Sequence, residues 1–165
     1  MRCEGYMLVT RDIETAKNFY CDVIGARIEL DIGTHVVFRE GFSLLIERDW
    51  SAFSGLDCAD FAYRHHTGQL VFEVDDIQAF LQRLSGLSAL PGPQYVHQVK
   101  EHPWGRWAVR LYDPDGHVVE VGESMKVVVK RFLSQGLTEE EAARRSEFPV
   151  EYARMCKKEM EDGGG

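Results

Sequence analysis

Two stretches of the chain repeat the same succession of apolar and polar positions. Met7-Leu-Val-Thr-Arg-Asp12 and Val71-Phe-Glu-Val-Asp-Asp76 are β-rich runs that each end on an aspartate. Apolar residues then recur at helical spacing, at Ile13, Ala16, Tyr20, Val23 and Ile24 in one half and at Ile77, Phe80, Leu81 and Leu84 in the other. Asp12 and Asp76 are natural N-caps, because a short carboxylate accepts the unpaired N–H groups of a first helical turn. Gly25 and Gly86 stand where each helix should stop.

Three strand signals follow each helix. They run over about 26–31, 35–39 and 42–48 in the first half, and 95–100, 106–112 and 117–122 in the second. Gly33 and Gly41 mark turns in the first half; His102-Pro-Trp-Gly105 and Asp113-Pro-Asp-Gly116 mark them in the second. Each half therefore reads as β-α-β-β-β, over modules of about 5–48 and 68–123 joined by a linker, 49–67. The second module is longer between its Asp and its turn Gly, and Ser85–Pro93 predicts a longer loop there.

After about residue 125 the pattern changes to three short helices. Val127, Val128, Phe132 and Leu133 form an apolar stripe, Thr138-Glu-Glu-Glu141 is a capping box, and Pro149 opens the last helix as its first residue. The domain reading is a body, 1–125, a helical extension, 126–162, and a disordered glycine tail, 163–165. Charge follows the same boundary: residues 1–125 carry 11 Lys+Arg against 19 Asp+Glu, while the extension is neutral, for a net charge of −8. An acidic body argues against nucleic acid and anionic membranes as partners. No apolar run reaches the ~20 residues of a membrane span, and the first residues lack the apolar stretch of a signal peptide. Cys3, Cys21, Cys58 and Cys156 fit no metal or redox spacing, so free thiols and a cytoplasmic location are expected.

The duplicated order resembles the vicinal-oxygen-chelate superfamily, which includes glyoxalase I, the extradiol dioxygenases and the bleomycin and fosfomycin resistance proteins. The residues that carry the resemblance are Asp12-Ile-Glu-Thr-Ala-Lys-Asn-Phe-Tyr20 with Gly25, Phe72-Glu-Val-Asp-Asp76, Pro103-Trp-Gly105 and Asp113-Pro-Asp-Gly-His-Val-Val-Glu120, within about 5–123. It implies an α+β glyoxalase-like fold, two βαβββ modules forming a half-open barrel around a cavity, here with a helical C-terminal extension. It also implies where a metal would be held: seven residues before each helix-capping Asp, and at the Glu after the Asp-Pro-Asp-Gly turn. In the second module those positions are Gln69 and Glu120. In the first they are Gly5 and Leu45, which offer no ligand atom. The cofactor expectation is none, or a weakly held divalent metal on Gln69 and Glu120, with His35 as a third candidate.

Strand parity gives the rest of the lining, since alternate residues face opposite sides. His35 aligns with Arg110. His35, Glu47, Gln69, Arg110 and Glu120 are the expected polar lining, with Met7, Val9, Val37, Val71, Tyr112 and Val118 as apolar wall; such a mixture suits a small-molecule site. The ligand-binding set is His35, Glu47, Gln69, Arg110 and Tyr112, and Glu120 is the candidate catalytic residue. Arg110 and Glu120 could equally form a partly buried ion pair across neighbouring strands. His65-His66 falls in the linker. His97 faces the cavity if parity allows, and His102 and His117 are expected to be solvated at turns. Trp50, Phe53, Phe61 and Tyr63 either cap the cavity mouth or pack over a sheet edge.

Two functions fit. The first is a bleomycin-resistance-like protein that binds or sequesters a small organic molecule, metal-free or nearly so. The second is a metal-dependent lyase or isomerase of the glyoxalase I type, with Glu120 as ligand and proton shuttle. A homodimer with the extension near its contact is expected, because open sheet edges tend to be covered. The run from Leu137 also loosely resembles a helix-turn-helix that would present Arg154, Lys157 and Lys158, against which stand the neutral charge and Glu147 at the turn position usually held by glycine.

Overall fold

The computed structural model describes residues 1, 5–64, 66–86 and 93–162; Cys3, His65, most of the Ser85–Pro93 loop and the glycine tail lie outside the described residues. The first sheet contains β1 (Tyr6–Thr10), β2 (Ile28–Asp31), β3 (His35–Phe38) and β4 (Phe42–Ile46). Its order is β1-β4-β3-β2, with β1 parallel to β4 and the other pairs antiparallel. The second contains β5 (Gln69–Val74), β6 (Gln94–Glu101), β7 (Trp107–Tyr112) and β8 (Val118–Glu123), in the order β5-β8-β7-β6. The two orders are the same when the modules are superposed strand for strand. The duplication is therefore real, and the fold is α+β and glyoxalase-like.

Helix α1 (Ile13–Asn18) is capped as expected, Asp12 accepting from the N–H groups of Glu14 and Thr15. It does not continue as an α-helix to residue 24. Phe19–Ile24 widens into a π-helical turn, in which the N–H groups of Gly25 and Ala26 both reach the Tyr20 carbonyl, and Gly25 stops it in the left-handed conformation. The Tyr20 ring is buried against Phe38 and Phe42, and its hydroxyl donates to Asp113 at 2.9 Å. Burial and the Asp113 carboxylate push that hydroxyl's pKa up, so it stays a donor.

The linker is more ordered than its composition suggests: it holds α2 (Glu47–Ser54) and a 3₁₀ turn, Cys58–Asp60. Glu47 is thus in the first turn of a helix and not on a strand. Helix α3 (Ile77–Gly86) takes Gly86 as its last residue and not as the stop beyond it. Then come α4 (Met125–Ser134), α5 (Glu139–Ser146) and α6 (Val150–Asp162), with the Thr138–Glu141 capping box present. Pro149 precedes α6, and its carbonyl accepts from Tyr152 and Ala153.

The described chain packs as two compact units. One takes Met1–Gln69, Gly86–Gln94 and Tyr112–Val118; the other takes Leu70–Ser85, Tyr95–Leu111 and Val119–Gly165. In the second, Met125, Val128, Val129, Phe132, Ala142, Ala143, Ala153 and Cys156 form one buried cluster, with Trp104 of the β6–β7 turn against it. No helix of the described residues is long and apolar enough to cross a membrane.

Candidate functional site

The polar residues of the second sheet gather around Glu120. This glutamate is buried on β8. Arg110 on β7 pairs with its Oε2, and Arg106, just before β7, places Nη1 at 3.3 Å from its Oε1. Two guanidinium groups thus share one carboxylate. Arg110 also donates from Nη1 to Nε2 of His97 at 2.9 Å, while His97 Nδ1 lies 2.8 Å from the Gln98 carbonyl. A carbonyl can only accept, so Nδ1 carries the proton and Nε2 is left to accept from Arg110.

Arg106 lies flat over β8. Its Nε donates to the Glu123 carbonyl at 2.8 Å, and a Cβ on Gly122 would stand 2.6 Å from that nitrogen. Only glycine at 122 leaves room for the guanidinium. Arg106 Nη2 is buried without a hydrogen-bond partner, as is Nε2 of His102. His102 is not the solvated turn residue that the sequence suggested: its ring stacks on Trp104 at 4.7 Å. Burial, and then the Arg110 charge, push its pKa down.

Of the other expected residues, Gln69 is exposed at the start of β5. His35 is half-buried on β3 opposite Leu45, its Nε2 buried without a partner. Glu47 accepts from the Tyr63 hydroxyl at 2.9 Å. The Tyr112 hydroxyl lies 2.8 Å from His66 Nε2, and Arg64 covers its ring. His117, also expected to be solvated, is held by Asp113, with Nδ1 at 2.8 Å from Oδ2. In the first unit a cavity of about 260 Å³ is lined by Met7, Val9, Trp50, Phe61, Tyr63 and His117 among others. Trp50, Phe61 and Tyr63 thus line a cavity in that unit, whereas Phe53 is exposed.

Asp113 and Asp115 of the Asp-Pro-Asp-Gly turn are structural. Asp113 accepts from the backbone of Asp115 and His117 as well as from Tyr20, and Asp115 accepts from Thr10 and Arg11. Sequence reasoning missed Arg106 and His102. The signal for Arg106 was its position four residues before Arg110, on the same strand face.

The donor set around Glu120 does not suit a divalent cation, which would have to sit beside two guanidinium groups. Gly5 and Leu45 supply no ligand atom, and among the described residues no three of His, Cys, Asp or Glu come together as a metal site.

Among solved structures, one similar chain is a protein of unknown function from Agrobacterium tumefaciens str. C58. It is 34% identical with a TM-score of 0.67, over 75% of this chain and 94% of that one. A lactoylglutathione lyase from Agrobacterium tumefaciens is 26% identical with a TM-score of 0.55, over 73% and 92%. A glyoxalase/bleomycin resistance protein/dioxygenase family enzyme from Burkholderia phytofirmans PsJN shares the fold, at 17% identity and a TM-score of 0.61, over 74% and 98%. No curated protein matches the chain. The duplicated sheets and their order agree with the model of the glyoxalase-like domain, which matches residues 3–126, so the chain belongs to the glyoxalase-like family.

Proposed function

We propose that this protein binds a small organic ligand on the polar face of its second sheet, without an essential divalent metal. The observation that carries the reading is the clamping of Glu120 by Arg106 and Arg110. A carboxylate neutralised in this way is a poor metal ligand, and a polar cluster among apolar strands suits a small molecule. Isothermal titration of the full chain with Mg²⁺, Mn²⁺, Ni²⁺ and Zn²⁺ tests it. Binding weaker than about 1 μM, ~8 kcal/mol, is expected; tighter binding overturns the reading.

The second reading, a metal-dependent lyase or isomerase, is favoured by the name of the 26% identical relative. It requires Glu120 to leave both arginines. Turnover of an α-ketoaldehyde–thiol adduct that depends on added metal and is lost in Glu120→Gln would establish it in place of the first.

We also propose a cytoplasmic homodimer. Cys21, Cys58 and Cys156 are free thiols, which fits a reducing compartment. Leu30 and Ile32, on and beside edge strand β2, are exposed, as a surface to be covered would be. Sedimentation of the full chain at tens of micromolar should give a dimer, and a monomer there removes that part. DNA is not a proposed partner: Arg154 pairs with Glu140 and Lys157 with Glu139, so two of the three cations suggested for recognition are held within the helix pair.

A further inference from the structure

We infer that the cavity of the first unit is a separate binding site, and that it takes a small alkylated ammonium ion, tertiary or quaternary. The inference goes beyond the reading above and uses none of the residues of the second sheet.

The cavity holds about 260 Å³. Pockets for drug-sized ligands run from about 300 to about 1,000 Å³, so its occupant is small. Aromatic rings dominate the lining: Tyr6 comes from β1, Trp50 from α2, and Phe61 and Tyr63 from the chain just after the 3₁₀ turn. Such rings alone would suit any apolar guest. The charges set among them select a cation. Asp60, the one acid in that lining, is exposed and has no ion-pair partner among the described residues. Two further carboxylates bond lining residues directly, Glu47 accepting from the Tyr63 hydroxyl and Asp113 holding His117. Arg11 has Asp115 against it, at 2.8 Å from Nε. Its guanidinium lies over the Tyr63 ring, 4.6 Å from the centre, so one face of this aromatic wall already carries a cation. An anion would meet Asp60 together with electron-rich ring faces, and is disfavoured by both.

Hydrogen-bonding capacity narrows the cation further. A primary ammonium brings three N–H donors that all need acceptors, and a wall of rings with Met7 and Val9 offers few beyond Asp60. Alkyl groups on the nitrogen remove those donors and spread the charge over C–H surface that packs on aromatic faces. A net charge of −8 raises the local concentration of such an ion. The walls are also held in place by the protein itself. Glu47 fixes the Tyr63 hydroxyl at 2.9 Å, the Cys58 thiol donates to the Glu47 carbonyl at 3.8 Å and so ties the turn that carries Asp60 to α2, and the His117 ring stands edge-on to Tyr63. A site built in advance loses little freedom when it is filled.

The test adds choline chloride, and separately its neutral isostere 3,3-dimethylbutan-1-ol, to the full chain at constant chloride and ionic strength, following the tryptophan indole N–H signals by NMR. Choline should shift the Trp50 signal saturably, with a Kd tighter than about 10 mM, and leave those of Trp104 and Trp107 in place. The isostere, which differs in carrying carbon where choline carries charged nitrogen, should bind at least about fivefold more weakly. Asp60→Asn should weaken choline about threefold and leave the isostere unaffected. Should that variant not fold, the wild-type comparison of the two probes decides. An unmoved Trp50 signal, shifts centred on Trp104 or Trp107, equal affinity for the isostere, or undiminished choline binding by Asp60→Asn overturns the inference.

Discussion

Glu120 and Leu45 occupy equivalent positions in the two sheets, and both are buried. One position is filled by an aliphatic side chain that needs only packing, the other by a charge that needs partners. Glu120→Gln keeps the shape but removes the anion that the two guanidinium groups share. A loss of about 3 kcal/mol in stability is expected, read from urea denaturation at neutral pH. His102 gives a pH dependence. Its folded pKa lies below the ordinary 6.5, because burial and then Arg110 oppose its protonation, with Lys100 and His97 acting the same way and Glu120 against them. The unfolded chain therefore takes up the proton first as pH falls. This contribution is fully present above about pH 6.5 and is lost as pH drops below it. Denaturation curves at descending pH should show that decline, and His102→Gln should flatten it. The Arg110–Glu120 contact was legible from strand parity alone. The second arginine's hold on Glu120 and the burial of His102 Nε2 were not, because they depend on Gly122 and on a Trp104 stack that no local pattern reveals.

At the scale of elements, the apolar periodicity placed every strand to within a residue or two, and the capping aspartates and the capping box were read correctly from side-chain chemistry. Some elements escaped it, two of them with a clear cause. The helix in the linker, α2, buries none of its residues, so it has no core-facing stripe to read. The π-helical turn after α1 arises where Tyr20 is anchored both to its aromatic neighbours and to Asp113, a constraint set by chain about 90 residues away. The turn between α5 and α6 carries a local conflict that can be used. Glu147 closes α5 with a φ of 59°, in the left-handed region where a β-carbon is disfavoured. Glu147→Gly relieves that cost and loses some unfolded-state entropy in return. A net gain of about 0.5 kcal/mol is expected, visible as a higher thermal midpoint.

At the scale of the molecule, the family match ends at residue 126, and α4, α5 and α6 lie almost wholly past it. They were legible as helices, but not as part of the second compact unit, because their apolar stripe says only that it must be buried and not against what. Arg131 of α4 bonds the Glu123 carboxylate and the Gly105 carbonyl, and the Glu123 carbonyl in turn holds Arg106. The appended helix is therefore two contacts away from the buried arginine row, and anything that steadies that row should be felt in the helix. The amide protons of α4 then become a remote gauge of the row's order. Their exchange with deuterated solvent should quicken in Glu120→Gln, which loosens the row, and Arg131→Gln should sever the gauge, leaving α4 exchange indifferent to that substitution. A relative that ends where the family match ends has no such helix, and its arginines, if it has them, would loosen in silence.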